Sequence, residues 1–277
     1  MKPEYKIAFF DVDGTLRATG KHCVPESTIS AIDNLKNIGV KVIICSGRNY
    51  TQMPEYIRSI GFDYFICFAG ALITDSEGNI IRLTSISKET AVKLKRSFIE
   101  QNCTYSFKFL SGKNIQYNGD MDDFISLFFK SSYTAVKDVE VNLDEEVLLA
   151  GVYKDPRNNL ENTRKEFPMV NFVYVAKNYY DFNAVEATKG NAIRYICDML
   201  QINQADTIAF GDGENDLTMF ESVGMSVAMG NASDVVKKSA KYVTADVEED
   251  GVYKAVEKFF SVRSAYPDGN GAGSIFS

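Results

Sequence analysis

Two aspartates one residue apart, in Asp11-Val12-Asp13-Gly14-Thr15, follow directly on the apolar run at 5–10. In extended backbone, side chains two residues apart share a face, so both carboxylates can address one point. Two anions held that close are costly unless a cation or a shared proton relieves them. Oxygen ligands of this kind suit Mg²⁺. One carboxylate can then attack an electrophile while the other transfers a proton. Gly14 gives the backbone freedom for a sharp departure at that point. Taken alone, the pair describes a polar turn after a strand equally well.

Three more stretches place chemically capable residues just after apolar runs or at a helix start. In "GDGEND" (211–216), which follows the run at 207–210, Asp212 and Asp216 can complete an oxygen cage with Asp11. Such a concentration of charge needs cations, and "TKG" (188–190) offers Lys189. It stands at the start of a predicted helix, where Gly190 and backbone N–H groups also favour an anion; by itself it reads as a solvated surface lysine. In "CSGRN" (45–49), Ser46 beside Gly47 offers a hydroxyl to a phosphate oxygen.

The elements that must position these residues alternate in type. Apolar runs at 5–10, 40–46 and 64–70 read as buried strands. A helix is expected over 26–38, ended by Gly39, and another over 51–61. Strand–helix alternation indicates a parallel sheet, whose ligands bind beyond the carboxyl ends of its strands. Asp11, Ser46 and Gly70 fall at such ends. Between 83 and 185 the texture changes to paired strands with intervening helices. Helices are expected at 88–101, 121–131 and 158–167, a hairpin through Ser111-Gly112, and strands at 146–153, 170–176 and 179–185. The fold class is therefore α/β. A Rossmann-like parallel-sheet core (1–82 and 186–277) is split by an inserted α+β unit (83–185) with an antiparallel sheet. Residues 261–277 read as a loose Gly-rich tail.

With 277 residues, the chain has room for one large core or two smaller ones. A net charge of −7 argues against a nucleic-acid binder with a broad basic surface. It leaves room for an anionic small substrate, since one local cation can reverse the field. The five cysteines have no metal-ligand spacing, and Cys45 and Cys67 read as small buried hydrophobes in a reducing cytosol. The start has no signal-peptide layout, and no segment has the ~20 apolar residues of a membrane span. A soluble cytoplasmic protein with no membrane partner is expected.

Together, "DVDGT", "CSGR", "TKG" and "GDGEND" stand in the order of four motifs of the haloacid dehalogenase-like hydrolases. The chain resembles in particular the Cof-type sugar-phosphatase branch with a large α/β cap, and "AKYVTADVEEDGVYKAVEKFF" (240–260) is similar to that branch's C-terminal stretch. The resemblance implies a Mg²⁺-dependent phosphatase acting on small phosphorylated metabolites, sugar phosphates foremost. In that scheme Asp11 forms an aspartyl-phosphate, and Asp13 protonates the leaving alcohol and then activates water. Mg²⁺ is held by the Asp11 carboxylate, the Asp13 carbonyl and Asp212, with Asp216 in support. Ser46, Gly47 and Lys189 bind phosphate, Asn215 orients it, and Arg48 is either a substrate contact or a surface arginine. The third strand departs from the branch, reading Phe68-Ala69-Gly70 where Asn-Gly is usual, so contacts made by that amide are lost. Two rivals remain open: a phosphomutase of the same superfamily and a non-catalytic phosphometabolite sensor.

Overall fold

A computed structural model describes residues 4–101, 103–111, 114–117, 135–137, 147–153, 160–176 and 179–260. The first part of the chain supplies strands β1 (Ile7–Phe10), β2 (Lys41–Cys45), β3 (Tyr64–Cys67), β4 (Leu72–Asp75) and β5 (Ile80–Leu83). The inserted segment supplies β6 (Thr104–Phe109), β7 (Asn114–Tyr117), β8 (Ala135–Lys137), β9 (Val147–Tyr153), β10 (Val170–Ala176) and β11 (Tyr179–Ala184). The chain then returns with β12 (Thr207–Gly211), β13 (Met225–Ala228) and β14 (Tyr242–Val243).

Among the described residues these strands form two sheets, ordered β14-β13-β12-β1-β2-β3-β4-β5 and β10-β11-β9-β6-β7-β8. In the first sheet, β14 through β3 are all parallel. The central strands are buried on both faces, which is why they read as unbroken apolar runs rather than alternating ones. Ala8, Phe10, Val42 and Ile44 pack under helices Glu26–Asn37 and Gly251–Phe260, through Ala31, Ile32, Leu35 and Val256. Ile7, Phe9 and Ile43 pack on the other side, under Ile193 and Ile196 of helix Lys189–Leu200 and Met219 of Leu217–Phe220. Phe10 and Phe210 are register partners on β1 and β12, and their rings stack at 4.8 Å. That pairing locks together the two strands that carry the acidic motifs.

The inserted sheet has its own apolar cluster, built on Phe98, Tyr105, Phe107 and Phe182. Helix Lys88–Glu100 lies over it, capped by Ser87, whose hydroxyl accepts the Thr90 N–H. Helix Leu160–Glu166 lies within the expected 158–167, whereas the helix expected at 121–131 and the tail at 261–277 lie outside the described residues.

The structure corrects four local expectations. The third strand stops at Cys67, and Phe68–Gly70 forms a tight turn instead. The helix expected over 51–61 contracts to Glu55–Arg58, because Pro54 keeps Met53 extended (φ −68°, ψ 123°). The parallel sheet gains an antiparallel extension, β4 and β5, of which β5 is the edge strand and only partly buried. In the inserted sheet β7 and β8 pair in parallel, so it is not purely antiparallel.

Candidate active site

Strands β12, β1, β2 and β3 lie side by side and parallel, so their carboxyl ends form one edge. Asp11 leaves β1 there, with its N–H still donating to the Phe210 carbonyl (3.0 Å). Asp212 leaves β12 beside it, and Ser46 leaves β2 with its N–H on the Ile66 carbonyl (2.9 Å).

At this edge Lys189 is buried, 1% exposed, and its Nζ donates to Asp11 Oδ1 and to Asp216 Oδ1, each at 2.6 Å. The helix start that the sequence marks at Lys189 is real: Thr188 is the N-cap, accepting the Asn191 N–H. Asp216 is fixed from its other oxygen, which accepts the N–H groups of Asp212 and Gly213 (both 3.0 Å). Two glycines make the approach possible. Gly14 has φ +90°, and a Cβ there would strike the Asp212 carboxylate. Gly70 has φ +110°, and a Cβ would strike the Thr188 carbonyl immediately before Lys189.

Asp11, Asp212 and Asp216 each offer an oxygen, all within 4.8 Å of one another. Burial pushes the Asp11 carboxyl well above its ordinary range, with Lys189 opposing and the Asp216 and Asp212 charges adding to the rise. Burial and then the Asp216 charge push Asp212 up to about 7, against the Thr15 hydroxyl that donates to its Oδ1 at 2.9 Å. Burial works against the Lys189 charge, but the Asp11 and Asp216 carboxylates outweigh it and hold that pKa up. Three carboxylates facing one ammonium are a hard, oxygen-only donor set short of positive charge. That set fits a divalent cation of the Mg²⁺ kind.

The Asp13 carboxylate is placed apart from that triad and sits between two guanidinium groups. Arg48 Nε donates to Oδ2 (2.6 Å) and Arg48 Nη2 to Oδ1 (2.9 Å). Arg17 donates to Oδ1 through Nε (2.9 Å) and through Nη2. Burial would raise the Asp13 pKa, but hydrogen bonds and charge from Arg48, then Arg17, bring it below the usual carboxylate value. Arg48 is thus a partner of Asp13 rather than a bare surface arginine. Ser46 is buried, and its Oγ accepts the Arg48 N–H (3.2 Å), which leaves its own proton to donate elsewhere.

A cavity of about 280 Å³ opens beside Lys189 and Asn215 and is lined on the side of the inserted sheet by Asn171, Phe172 and Asn183. Ala69 also borders it, held in left-handed backbone (φ 54°, ψ 28°), a conformation that Asn tolerates better. Gly47 stays at the β2 end beside Ser46. His22 is exposed, and Lys108 is paired with Asp181 at 3.7 Å.

Sequence reasoning missed three residues that support the site. Thr15 lies inside the first motif and holds Asp212. Arg17 follows Asp13 by four residues. Asn231 donates to the Gly14 carbonyl (2.8 Å) and accepts the Val247 N–H (3.1 Å), tying the first motif to the C-terminal segment. Nothing in the sequence around Asn231 singles it out.

A family model described as haloacid dehalogenase-like hydrolase matches residues 8–256. YxeH of Bacillus subtilis (strain 168), which carries a provisional phosphatase name, is 30% identical, with 92% of this chain and 98% of that protein covered. The 5-amino-6-(5-phospho-D-ribitylamino)uracil phosphatase YcsE of the same organism is 25% identical, with 91% and 95% covered. Among solved structures, the subclass IIB sugar phosphatase BT4131 is 25% identical with a TM-score of 0.80, over 92% of this chain and 98% of that one. The chain belongs to the haloacid dehalogenase-like hydrolase family, in its Cof-type branch, and is an enzyme of the phosphatase class. Among the described residues no helix is long and apolar enough to cross a membrane.

Proposed function

We propose that the chain is a Mg²⁺-dependent phosphatase of small phosphorylated metabolites, sugar phosphates foremost, working through an aspartyl-phosphate on Asp11. The observation that carries this reading is Lys189 clamped between Asp11 and Asp216, with Asp212 completing the acidic triad. Residues 83–185 serve as a cap over a core made of 1–82 and 186–277, and the cavity lined from both sides receives the leaving group. The sugar-phosphatase neighbour supports that substrate class, and the phosphate ester of YcsE shows how far substrates diverge among relatives.

Asp11, Asp212 and Asp216 would hold Mg²⁺ through their carboxylates and Asp13 through its carbonyl. The ion supplies positive charge against the phosphoryl oxygens. An Asp11 oxygen attacks phosphorus as the ester P–O bond breaks, and Asp13, which must take up a proton before this step because its arginine partners favour the carboxylate, gives that proton to the leaving oxygen. Asp13 then takes a proton from water, whose oxygen attacks phosphorus; the acyl-phosphate P–O bond breaks, returning Asp11 and releasing phosphate. Ser46 donates its hydroxyl proton to a phosphate oxygen, Lys189 offsets charge on the group in transfer, and Asn215 and the Gly47 backbone orient it.

The test is a panel of sugar phosphates, nucleotides and cofactor phosphates assayed with Mg²⁺ and with chelator, ranked by kcat/KM against Asp11→Asn. Turnover that needs Mg²⁺ and Asp11 and is highest on sugar phosphates is expected. No release above the Asp11→Asn control would overturn the reading. With a hexose 1-phosphate, free phosphate supports the hydrolase; build-up of the 6-phosphate instead would make the chain a mutase.

A further inference from the structure

The two arginines on Asp13 are not equivalent. Arg17 is returned to Asp13 by a tight turn: Arg17 N–H donates to the Val12 carbonyl (3.1 Å), and Gly14 N–H donates to the Arg17 carbonyl (2.8 Å). Its side chain is 9% exposed and is held at its far end as well, with Nη1 donating to the Lys21 carbonyl. The Arg48 side chain comes from the end of β2 and is 23% exposed. The hydrogen bonds are also unevenly shared. Among the described residues, Oδ1 of Asp13 accepts three N–H groups, two from Arg17 and one from Arg48, whereas Oδ2 accepts only Arg48 Nε. A carboxylate oxygen has about two acceptor sites, so Oδ1 is saturated and Oδ2 retains one.

We propose that Arg17 is the positioning residue of the acid–base carboxylate, occupying Oδ1 of Asp13 so that Oδ2 is the oxygen that gives and takes the proton. This rests on the reading of Asp13 as the proton-transfer group. With its Nε and Nη2 on Asp13 and its Nη1 on the Lys21 carbonyl, Arg17 acts by fixing one rotamer of Asp13 through its forked, two-point contact. A lysine in its place keeps the charge but not the fork.

The proposal is tested by comparing kcat/KM for p-nitrophenyl phosphate and phenyl phosphate in wild type, Arg17→Met, Arg17→Lys and Asp13→Asn. p-Nitrophenolate leaves without a proton, while phenolate gains from one, and kcat/KM reports the step that forms the aspartyl-phosphate. Loss of a well-placed general acid is expected to cost at least about tenfold on phenyl phosphate and under about threefold on p-nitrophenyl phosphate. Arg17→Met and Asp13→Asn should share that pattern, with Arg17→Lys between Arg17→Met and wild type. Should Arg17→Met fail to fold, Arg17→Lys carries the comparison. If Asp13→Asn shows the leaving-group dependence and the Arg17 variants lower both substrates equally, or neither, the positioning role is wrong and the acid assignment stands. If Asp13→Asn shows no leaving-group dependence, the acid assignment fails and the proposal falls with it.

Discussion

Replacing Lys189 with methionine removes the ammonium bonded to both Asp11 and Asp216 while keeping the side chain's length. Each contact is 2.6 Å, which at an effective dielectric of about 20 is worth about 6 kcal/mol before desolvation. Most of that attraction is consumed by burying the charges, so the net loss expected is that of breaking a buried pair, about 3–5 kcal/mol. The sign of its pH dependence follows from the carboxylates left behind. Burial already raises the Asp11 pKa, and without the ammonium it rises further. A group with a raised folded-state pKa contributes stability below its unfolded value and loses it as pH climbs through the folded value. The deficit should therefore be largest near about pH 8 and shrink toward about pH 5. Urea unfolding of wild type and Lys189→Met in chelator, at both pH values, measures it. A deficit under about 1 kcal/mol at the higher pH, as for an exposed pair, would refute the reasoning. So would a deficit that does not shrink with acid.

Asp212, raised to about 7, carries the same sign in the wild-type protein. In chelator, Tm should climb as pH falls from about 8 toward about 5, and the stabilisation by added Mg²⁺ should be greatest above about pH 7; thermal scans across that range check both. Gly70→Ala forces a Cβ against the Thr188 carbonyl at φ +110° and should lower stability by more than about 1–3 kcal/mol, with kcat falling because the start of the Lys189 helix moves. Ala69→Asn puts a residue suited to left-handed backbone at φ 54° beside the cavity. It should leave p-nitrophenyl phosphate turnover within about twofold and shift KM for sugar phosphates, which steady-state kinetics on both would show.

The buried strands β1, β2 and β12 were legible because a parallel sheet covered on both faces leaves continuous apolar runs, and the polar residues at their ends, Asp11, Ser46 and Asp212, were legible by contrast. Spacing in sequence could not reveal that Lys189 reaches past the sheet edge to Asp11 and Asp216, because that contact depends on helix Lys189–Leu200 packing through Ile193 and Ile196. β4 went unread because the turn Phe68–Gly70, read as strand, hides the break from β3, and β5 because an edge strand that is only partly buried leaves no continuous apolar run; Pro54 shortened a helix whose apolar spacing looked complete. Arg17 and Asn231 were missed for a shared reason. Both lie outside the four motifs and reach into the first one with their side chains, Arg17 to the Asp13 carboxylate and Asn231 to the Gly14 carbonyl, contacts that only the folded chain reveals.

The central claim is that Asp11 becomes phosphorylated. Rapid acid quench during turnover, borohydride reduction of the acyl-phosphate and peptide mapping by mass spectrometry test it directly. Residue 11 should be recovered as the reduced product in wild type and unlabelled in Asp11→Asn. Trapping at another residue, or phosphate release at full rate with residue 11 never modified, would contradict it.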